Sequence, residues 1–291
     1  MTINVIKKIK FPNNEIKNVN QVFPKMPIDL PQLPFIAVLI GSSGAGKTTT
    51  ACNLIQKYQD NNAFDRIALF SPTGTPDEQT GLTADPRLSN PNLGISDMFP
   101  SYRDQDLEQI MEEQKEKIME RKQFEDDMKL WKKYLNNPDD SQLEEEVFDM
   151  CEQRGEMPPT CDIERYPSSL AVMDDMGDDL AVKKTGKSKL NNFVSRIRHC
   201  LFSFMANYQA LSQCPATIRK QCNLWIIYKS QDTKNLKNIW SECCANDMQF
   251  QKFLQLFEML DGRHEFIMID MKAPIERKYR LNFDKFVDIK N

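Results

Sequence analysis

Short apolar runs recur along this chain and are separated by polar stretches with a different period. The run Phe35–Ile40 is uninterrupted, and an apolar run of this length is typical of a strand buried on both faces of a sheet. The other runs predicted to be strands are Arg66–Phe70, Leu170–Met173, Leu201–Ala206, Leu224–Tyr228, and a terminal pair at Phe266–Ile269 and Lys278–Leu281.

The stretches between these runs carry the spacing of helices. Thr48–Tyr58, Lys189–Arg198 and Lys234–Leu260 are predicted to be helical. Because strands and helices alternate, the pattern predicts an α/β fold with a mostly parallel sheet flanked by helices.

An insertion at about residues 75–167 separates the second and third strands. Within it, 104–136 has apolar residues at roughly helical spacing among many charges, which predicts a long amphipathic helix or a helical hairpin. Ser71 to about Ser101 is predicted to be loop, and 136–166 to be irregular and acidic. Two interpretations stay open for the helix: a solvated helix packed on the domain, or an arm that binds a partner.

The remaining organisation is simple. Residues 1–33 are rich in Pro and Asn and are predicted to form an arm with little regular structure, ahead of a single domain at 34–291. The longest apolar run is far shorter than the ~20 residues of a membrane-spanning helix, so no membrane span is expected. Eight cysteines without a C-x-x-C pair indicate reduced thiols in an intracellular compartment.

Charge is distributed unevenly. The net charge is −4, so the chain as a whole does not indicate nucleic-acid binding. From Leu180 to Gln231, however, there is no Asp or Glu, and the basic residues of this segment are Lys183, Lys184, Lys187, Lys189, Arg196, Arg198, Arg219, Lys220 and Lys229. Its first part, around Gly186, is interpreted either as a loop that neutralises DNA phosphates or as a solvated basic loop.

A glycine-rich turn follows the first predicted strand. Gly41–Thr48 fits the phosphate-loop pattern G-x-x-x-x-G-K-[ST] between a buried strand and a helix. In such a loop, backbone N–H groups surround an anion, Lys47 reaches the β- and γ-phosphates, and the Thr48 hydroxyl ligates Mg²⁺. The predicted nucleotide-binding residues are Gly41, Ser42, Ser43, Gly44, Ala45, Gly46, Lys47, Thr48 and Thr49.

Two adjacent carboxylates, Asp174 and Asp175, follow the third long apolar run. Parallel strands place their carboxyl ends at one edge of a sheet, so this pair is expected near the phosphate loop. Asp174 is predicted to hold Mg²⁺ and Asp175 to polarise the attacking water, although Glu is commoner in the second role. The same residues spell the D-x-x-G of GTPases, but "YKSQD" at 228–232 lacks a guanine-reading Asp, which favours ATP.

Further catalytic candidates lie in the later part of the chain. Gln209 follows a predicted strand, so it is expected to face the nucleotide and to bond the γ-phosphate and the attacking water. Arg196, Arg198 and Arg219 are candidates for an arginine finger that reaches the γ-phosphate of a neighbouring subunit.

These motifs, in this order, resemble those of viral genome-packaging ATPases of the FtsK–HerA superfamily, the poxvirus-like group of large DNA viruses, virophages and polinton-like viruses. The stretches that carry the resemblance are "FIAVLIGSSGAGKTT", "RIALFSPT", "LAVMDDM", "SRIRHCLFSFMANYQALSQCPATIRKQCNLWIIYK" and "YRLNFDKF". The segment from Ser195 to Lys229 is the specific part, since the phosphate loop alone is generic. The chain departs from the family in its long acidic insertion and in having Asp175 where Glu is usual.

The resemblance implies a RecA-like P-loop NTPase core of the ASCE type that forms a ring, commonly a hexamer, and drives double-stranded DNA into a preformed capsid. It implies that Lys47 and Thr48 act as Walker A, Asp174 and Asp175 as Walker B, and Gln209 as the sensor. A capsid or portal-vertex protein is the expected partner, and the host cytoplasm at a viral factory, or the virion, the expected location. The alternatives are a P-loop small-molecule kinase and a nucleotide-switch scaffold that does not hydrolyse its nucleotide.

Overall fold

The computed structural model describes residues 23–74, 84–155, 158–177, 179, 182 and 188–289. Within that part of the chain, the strands are β1 (Ile36–Ile40), β2 (Arg66–Phe70), β3 (Asp97–Phe99), β4 (Ser169–Met173), β5 (Phe202–Tyr208), β6 (Leu224–Tyr228), β7 (Phe266–Asp270), β8 (Tyr279–Leu281) and β9 (Lys285–Phe286). The α-helices are α1 (Lys47–Gln59), α2 (Asp104–Asn136), α3 (Ser141–Arg154), α4 (Lys189–Arg196), α5 (Ala216–Gln221), α6 (Thr233–Cys243), α7 (Phe250–Glu258) and α8 (Ile275–Lys278).

All the described strands form one sheet, in the order β3-β2-β4-β5-β1-β6-β7-β8-β9. The pairings from β3 to β6 are parallel, and those from β6 to β9 are antiparallel. β5 therefore lies between β1, which leads into the phosphate loop, and β4, which leads into the acidic pair. This is the strand arrangement of an ASCE-type P-loop NTPase, so the predicted α/β fold with a mostly parallel sheet is confirmed.

Hydrophobic clusters cover both faces of the sheet, because alternate residues of a strand point to opposite faces. Ile36, Val38 and Ile40 of β1 belong to the cluster that includes buried residues of α4, α6 and α7. Ala37 and Leu39 belong to the cluster that includes buried residues of α1 and of the segment before β1. β1 is thus buried on both faces, as its continuous apolar sequence predicts.

The segment that precedes β1 contributes to the core. Its described part, from Phe23 to Phe35, contains no helix or strand, in agreement with the predicted lack of regular structure. Phe23, Met26 and Leu30 are nevertheless buried, and the Gln32 side chain bonds both the N–H and the carbonyl of Met26, at 3.0 and 2.8 Å. Residues 1–22 of the predicted arm at 1–33 lie outside the described residues.

The insertion is a helical hairpin whose base packs on the sheet. Leu107 and Ile110 of α2 are buried in the core. Gln114, also buried, donates to the Pro167 carbonyl at 2.8 Å and accepts from the Ser169 hydroxyl at 2.9 Å. Farther along, the hairpin is largely exposed to solvent, so a solvated helix and a partner-binding arm both stay open as its role.

Helix α3 and strand β3 contradict the loops predicted from the sequence. Asp140 caps α3, since its carboxylate accepts from the N–H groups of Gln142 and Leu143, and Gly155 ends the helix in a left-handed conformation. Both capping residues can be read in the sequence, but the acidic composition of 136–166 favoured the prediction of an irregular segment. The three-residue strand β3 forms only because β2 offers a free edge and Arg66 binds the Asp97 carboxylate at 2.6 Å.

The predicted helix Lys234–Leu260 is wrong in its middle. Helix α6 ends at Cys243 and α7 begins at Phe250. In the break, Trp240 donates its indole N–H to the Met248 carbonyl at 2.9 Å, and Asp247 accepts from the Tyr279 hydroxyl at 2.6 Å. Contacts with β8 that are distant in sequence therefore stabilise the break.

No helix among the described residues has both the length and the apolar content that crossing a membrane requires.

Candidate nucleotide site

The phosphate loop joins β1 to α1 in the conformation that its glycines allow. Gly46 has φ of +105° and Gly44 of +71°, values that disfavour any residue with a side chain. Gly41 is required for a different reason, because a Cβ atom there would lie 2.8 Å from the Cβ of Tyr228. The loop therefore packs directly against the end of β6.

Lys47, the first residue of α1, turns its side chain back over the loop. Its ammonium group donates to the Gly41 carbonyl at 2.8 Å and to the Ser42 carbonyl at 3.1 Å. Partial burial lowers the pKa of Lys47, and the carboxylates of Asp175 and Asp174 oppose that effect. The cation thus lies between the loop and the acidic pair.

The Asp174 side chain contacts α1, the helix that follows the phosphate loop, across β5. The register pairs Met173 with Ala206, so the residues after them, Asp174 and Asn207, lie side by side. The Thr48 hydroxyl donates to the two Asp174 carboxylate oxygens at 3.1 and 3.0 Å, and the Asn207 amide donates to one of them. Asp174 is only 2% exposed.

Burial raises the pKa of Asp174, while the hydrogen bonds from Asn207 and Thr48 lower it in part. Both of these donors are neutral, so no cation among the described residues is hydrogen-bonded to the Asp174 carboxylate. A carboxylate beside a threonine hydroxyl is a set of hard oxygen ligands, which is the kind that Mg²⁺ prefers. The residues predicted to hold the metal, Thr48 and Asp174, therefore suit it.

Asp175 and Gln209 line the same cavity as the phosphate loop. Asp175 is exposed and has φ of +55°, a left-handed conformation that Asp adopts more readily than most residues. Gln209 directly follows β5, and its backbone N–H donates to the Gln213 side chain at 2.9 Å. The cavity has a volume of about 230 Å³, and the predicted residues that line it are Ser43, Gly44, Gly46, Lys47, Thr48, Asp174, Asp175 and Gln209.

Three residues that were not predicted from the sequence also line this cavity: Thr73, just before the insertion, and Asp85 and Arg87 within it. The Arg87 guanidinium donates to the Thr49 hydroxyl at 2.9 Å. On its other side, the Nε of Arg87 donates to both carboxylate oxygens of Asp85, at 2.9 and 3.1 Å. Nothing in the local sequence signals this role, since an arginine two residues after an aspartate is common in loops.

A second unpredicted segment supports the phosphate loop from outside. His264 bonds the Ala45 carbonyl through Nδ1 at 3.1 Å. The guanidinium of Arg263 lies beside Gly44, 3.0 Å from where a Cβ atom would stand. Glu265 holds this turn in place by accepting from the N–H groups of Asp261 and Gly262.

The predicted arginine fingers do not line this cavity. Arg196 ends α4, and Arg198 lies in the short 3₁₀ turn before β5, so both are at the edge of the sheet opposite the phosphate loop. Arg219 forms an ion pair with Glu242 at 2.5 Å. A role in a neighbouring subunit's site stays a prediction for all three.

The predicted basic loop is mostly outside the described residues, which exclude Lys183, Lys184 and Lys187. Lys189, at the start of α4, forms an ion pair with Glu108 of α2.

In comparisons with known proteins, no family model and no curated protein matches the sequence. Solved structures do match. The genome packaging NTPase B204 from Sulfolobus turreted icosahedral virus 2, in complex with AMP, is 12% identical over 86% of this chain and 96% of its own, with a TM-score of 0.49. The pCW3 conjugation coupling protein TcpA with ATPγS is 10% identical over 86% of this chain and 61% of its own, with a TM-score of 0.47.

The chain is also similar to EssC (ATPases 2 and 3) from Geobacillus thermodenitrificans, with 14% identity over 80% of this chain and 37% of that one, and a TM-score of 0.44. The sequence resembles viral genome-packaging ATPases, and a viral genome packaging NTPase is among the solved structures to which the chain is similar.

Proposed function

We propose that this protein is an ATP-driven double-stranded DNA translocase that packages a viral genome into a preformed capsid. The observation that carries the nucleotide chemistry is the contact of Thr48 with Asp174 beside Lys47. In that contact a glycine-rich loop, a buried carboxylate and a lysine lie at one edge of the sheet, which supports this chemistry. The role in packaging rests on the resemblance of the sequence motifs.

The loop residues suit a nucleoside triphosphate. Backbone N–H groups of residues 41–46 and the N-terminus of α1 favour an anion at this position. Lys47, which donates to two loop carbonyls, has its ammonium group within reach of the same space. When ATP binds, Lys47 would donate to its β- and γ-phosphate oxygens and Thr49 would help to hold the remaining phosphate.

Thr48 and Asp174 would hold Mg²⁺, which when bound neutralises charge on the β- and γ-phosphates. Contacts within the chain hold these ligands in position in the absence of metal. Asn207 fixes the Asp174 carboxylate in orientation, and burial on the sheet keeps water from it. Asn207 is thus a positioning residue for the metal ligand.

Asp175 and Gln209 would act on the attacking water. Asp175 is exposed within the cavity, where its carboxylate can accept a proton from a water molecule as the water oxygen bonds to the γ-phosphorus. Gln209 lines the same cavity from the end of β5 and can donate to a γ-phosphate oxygen and accept from the water. The terminal phosphate then leaves as inorganic phosphate and ADP stays on the loop.

Hydrolysis by a ring would explain why the predicted finger arginines lie outside this protomer's cavity. Arg196 and Arg198 are exposed at the opposite edge of the sheet, so in a ring they would be free to contact a neighbouring copy. In such a ring the site would be completed between subunits, where Arg196, Arg198 or Arg219 of the neighbouring subunit would reach the γ-phosphate. The expected assembly is a ring, with a hexamer as the expected size, and a capsid or portal-vertex protein as its docking partner.

The test is the ATPase rate per subunit, measured across a range of protein concentrations with and without linear duplex DNA. A translocase that completes its site between subunits should turn over slowly when dilute and faster when concentrated or when DNA is added. A rate that depends on neither quantity would contradict the proposal.

A further inference from the structure

A second cavity lies at the edge of the sheet opposite the phosphate loop. Its volume is about 310 Å³, and it is bordered by the residues that precede β1 and β6 and by the turn that follows β7. We call it the basic-edge cavity and define it by Arg198, Lys220, Lys272, Ser195, Gln221 and Asn223.

Among the residues that the structure describes, three cations and no carboxylate line the basic-edge cavity. Within the described part of the chain, Arg198 and Lys220 form no ion pair, and both are exposed. This sets them apart from Arg219, which neighbours Lys220 and is paired with Glu242. The third cation, Lys272, donates to the Pro34 carbonyl at the start of β1.

The positive charge of Arg198 disfavours the charged form of Lys272. Burial lowers the pKa of Lys272; Asp270 raises it, and the positive charge of Arg198 lowers it again. The Asp270 carboxylate is itself buried and accepts from the backbone N–H of Lys272 at 3.0 Å. It therefore offsets part of the charge from behind the cavity and leaves the open side positive.

Of the polar side chains around these cations, Asn223 has donors that the described residues leave for a ligand. Asn223 uses its side-chain oxygen to accept from the Ile36 N–H at 3.0 Å, which leaves its amide N–H groups for another partner. Gln221 donates to the Ser195 hydroxyl at 2.9 Å, and that hydroxyl donates to the Asn191 carbonyl at 2.8 Å. Three cations and the Asn223 amide, without a carboxylate among the described lining residues, suit an oxyanion better than a metal ion.

We propose that the basic-edge cavity binds a phosphate group of the DNA backbone, an inference that rests on the proposed DNA translocation for the identity of the anion. Arg198, Lys220 and Lys272 are all exposed, so the phosphates of a long polyanion can reach them. This proposal assigns Arg198 to DNA and leaves Arg196 and Arg219 as the candidates for the arginine finger.

The position of the cavity connects it to the nucleotide. β1 begins at Ile36, which borders the basic-edge cavity, and ends at Ile40, directly before the phosphate loop. At about 3.3 Å per residue, roughly 17 Å of one buried strand separates the two sites. A shift of β1 that accompanies hydrolysis would therefore move both sites together.

The experiment compares the double variant Arg198→Ala/Lys220→Ala with wild type in binding a fluorescein-labelled linear duplex, followed by anisotropy over a series of salt concentrations. A matched double variant, Lys132→Ala/Lys133→Ala, removes the same charge from exposed lysines of α2. Circular dichroism and thermal unfolding verify that all three proteins fold.

We expect the Arg198/Lys220 variant to bind duplex about tenfold more weakly, and its salt slope to fall by about 2, because each phosphate contact contributes about 0.9 to that slope. The α2 variant should match wild type. Equal affinity and slope in wild type and the Arg198/Lys220 variant would overturn the proposal.

A further arm separates DNA from free phosphate. If inorganic phosphate raises the melting temperature of wild type but not of the double variant, while duplex affinity is unchanged, the cavity binds the free ion and the DNA assignment is wrong. If wild type hydrolyses ATP but binds no duplex even at low salt, the proposed translocase function fails instead. The two failures are thereby distinguished.

Discussion

The Thr48 hydroxyl donates to both carboxylate oxygens of Asp174, at 3.1 and 3.0 Å, although 126 positions separate the two residues. Thr48 is in the first turn of α1 and Asp174 directly follows β4, so the contact spans β5. It couples the phosphate loop to the acidic end of another strand, and the metal chemistry proposed here depends on it.

Asp174→Asn should stabilise the protein without nucleotide while abolishing Mg²⁺-dependent ATP hydrolysis. Burial raises the pKa of Asp174, so its ionised form costs stability once the pH exceeds the unfolded pKa of about 3.9. Asparagine has no such charge and still accepts from Thr48 and Asn207. At neutral pH we expect the variant to melt at a higher temperature than wild type, by about 2–4 °C for each kcal/mol by which the free energy of unfolding increases.

The pH dependence checks the cause. Because the native pKa is raised, the wild-type penalty shrinks as the pH falls through that pKa toward the unfolded value, and the two melting temperatures should converge near pH 4. A variant that is less stable than wild type at neutral pH would show that the carboxylate is not strained by its burial.

Lys47→Ala should abolish nucleotide hydrolysis and weaken nucleotide binding by about tenfold or more, since a hydrogen bond to a charged group contributes about 1.5–3 kcal/mol. Lys57→Ala is the matched control, because Lys57 is an exposed lysine of the same helix, near its other end. Isothermal titration with a non-hydrolysable analogue measures the difference. Wild-type turnover in the Lys47 variant would remove that lysine from the site.

Asp175→Asn should keep ATP bound but stall its turnover, because the amide cannot accept the proton of the attacking water. The measurement is a single-turnover assay at saturating ATP, in parallel with nucleotide affinity. We expect affinity within about threefold of wild type and a rate lower by a factor of about 10²–10⁴. An active variant would assign the base to another group.

Arg87→Ala should weaken nucleotide binding by about tenfold. Arg87 lines the cavity and donates to Thr49, so its guanidinium is positioned to bond a phosphate of a nucleotide bound there. Arg103→Ala is the control, since Arg103 is also an exposed arginine in a local ion pair, with Asp106 at 2.9 Å, but does not line this cavity.

Two readouts separate phosphate binding from a structural role of Arg87. If the arginine binds phosphate, the variant loses part of the rise in melting temperature that nucleotide causes, and Arg87→Lys restores only some of it because lysine lacks the planar fork. If the variant merely melts earlier and its nucleotide-induced rise equals that of wild type, Arg87 only fastens its loop to α1.

The sequence by itself determined the central strands and the phosphate loop. Phe35–Ile40 and Leu224–Tyr228 are continuous apolar runs because those strands are buried on both faces, and burial of that kind leaves a local signature. The loop motif is local too, since its glycines and Lys47 act within one turn. Placing Asp174 near the loop needed only the rule that parallel strands end at one edge.

The tertiary structure alone decided which other side chains join that edge. Arg87 comes from a loop of the insertion, and Asn207 gains its role from the register of β5 with β4. The break between α6 and α7 likewise depends on Asp247 meeting β8. These contacts join residues far apart in the chain, and because no local pattern encodes such pairings, only the folded sheet brings them together.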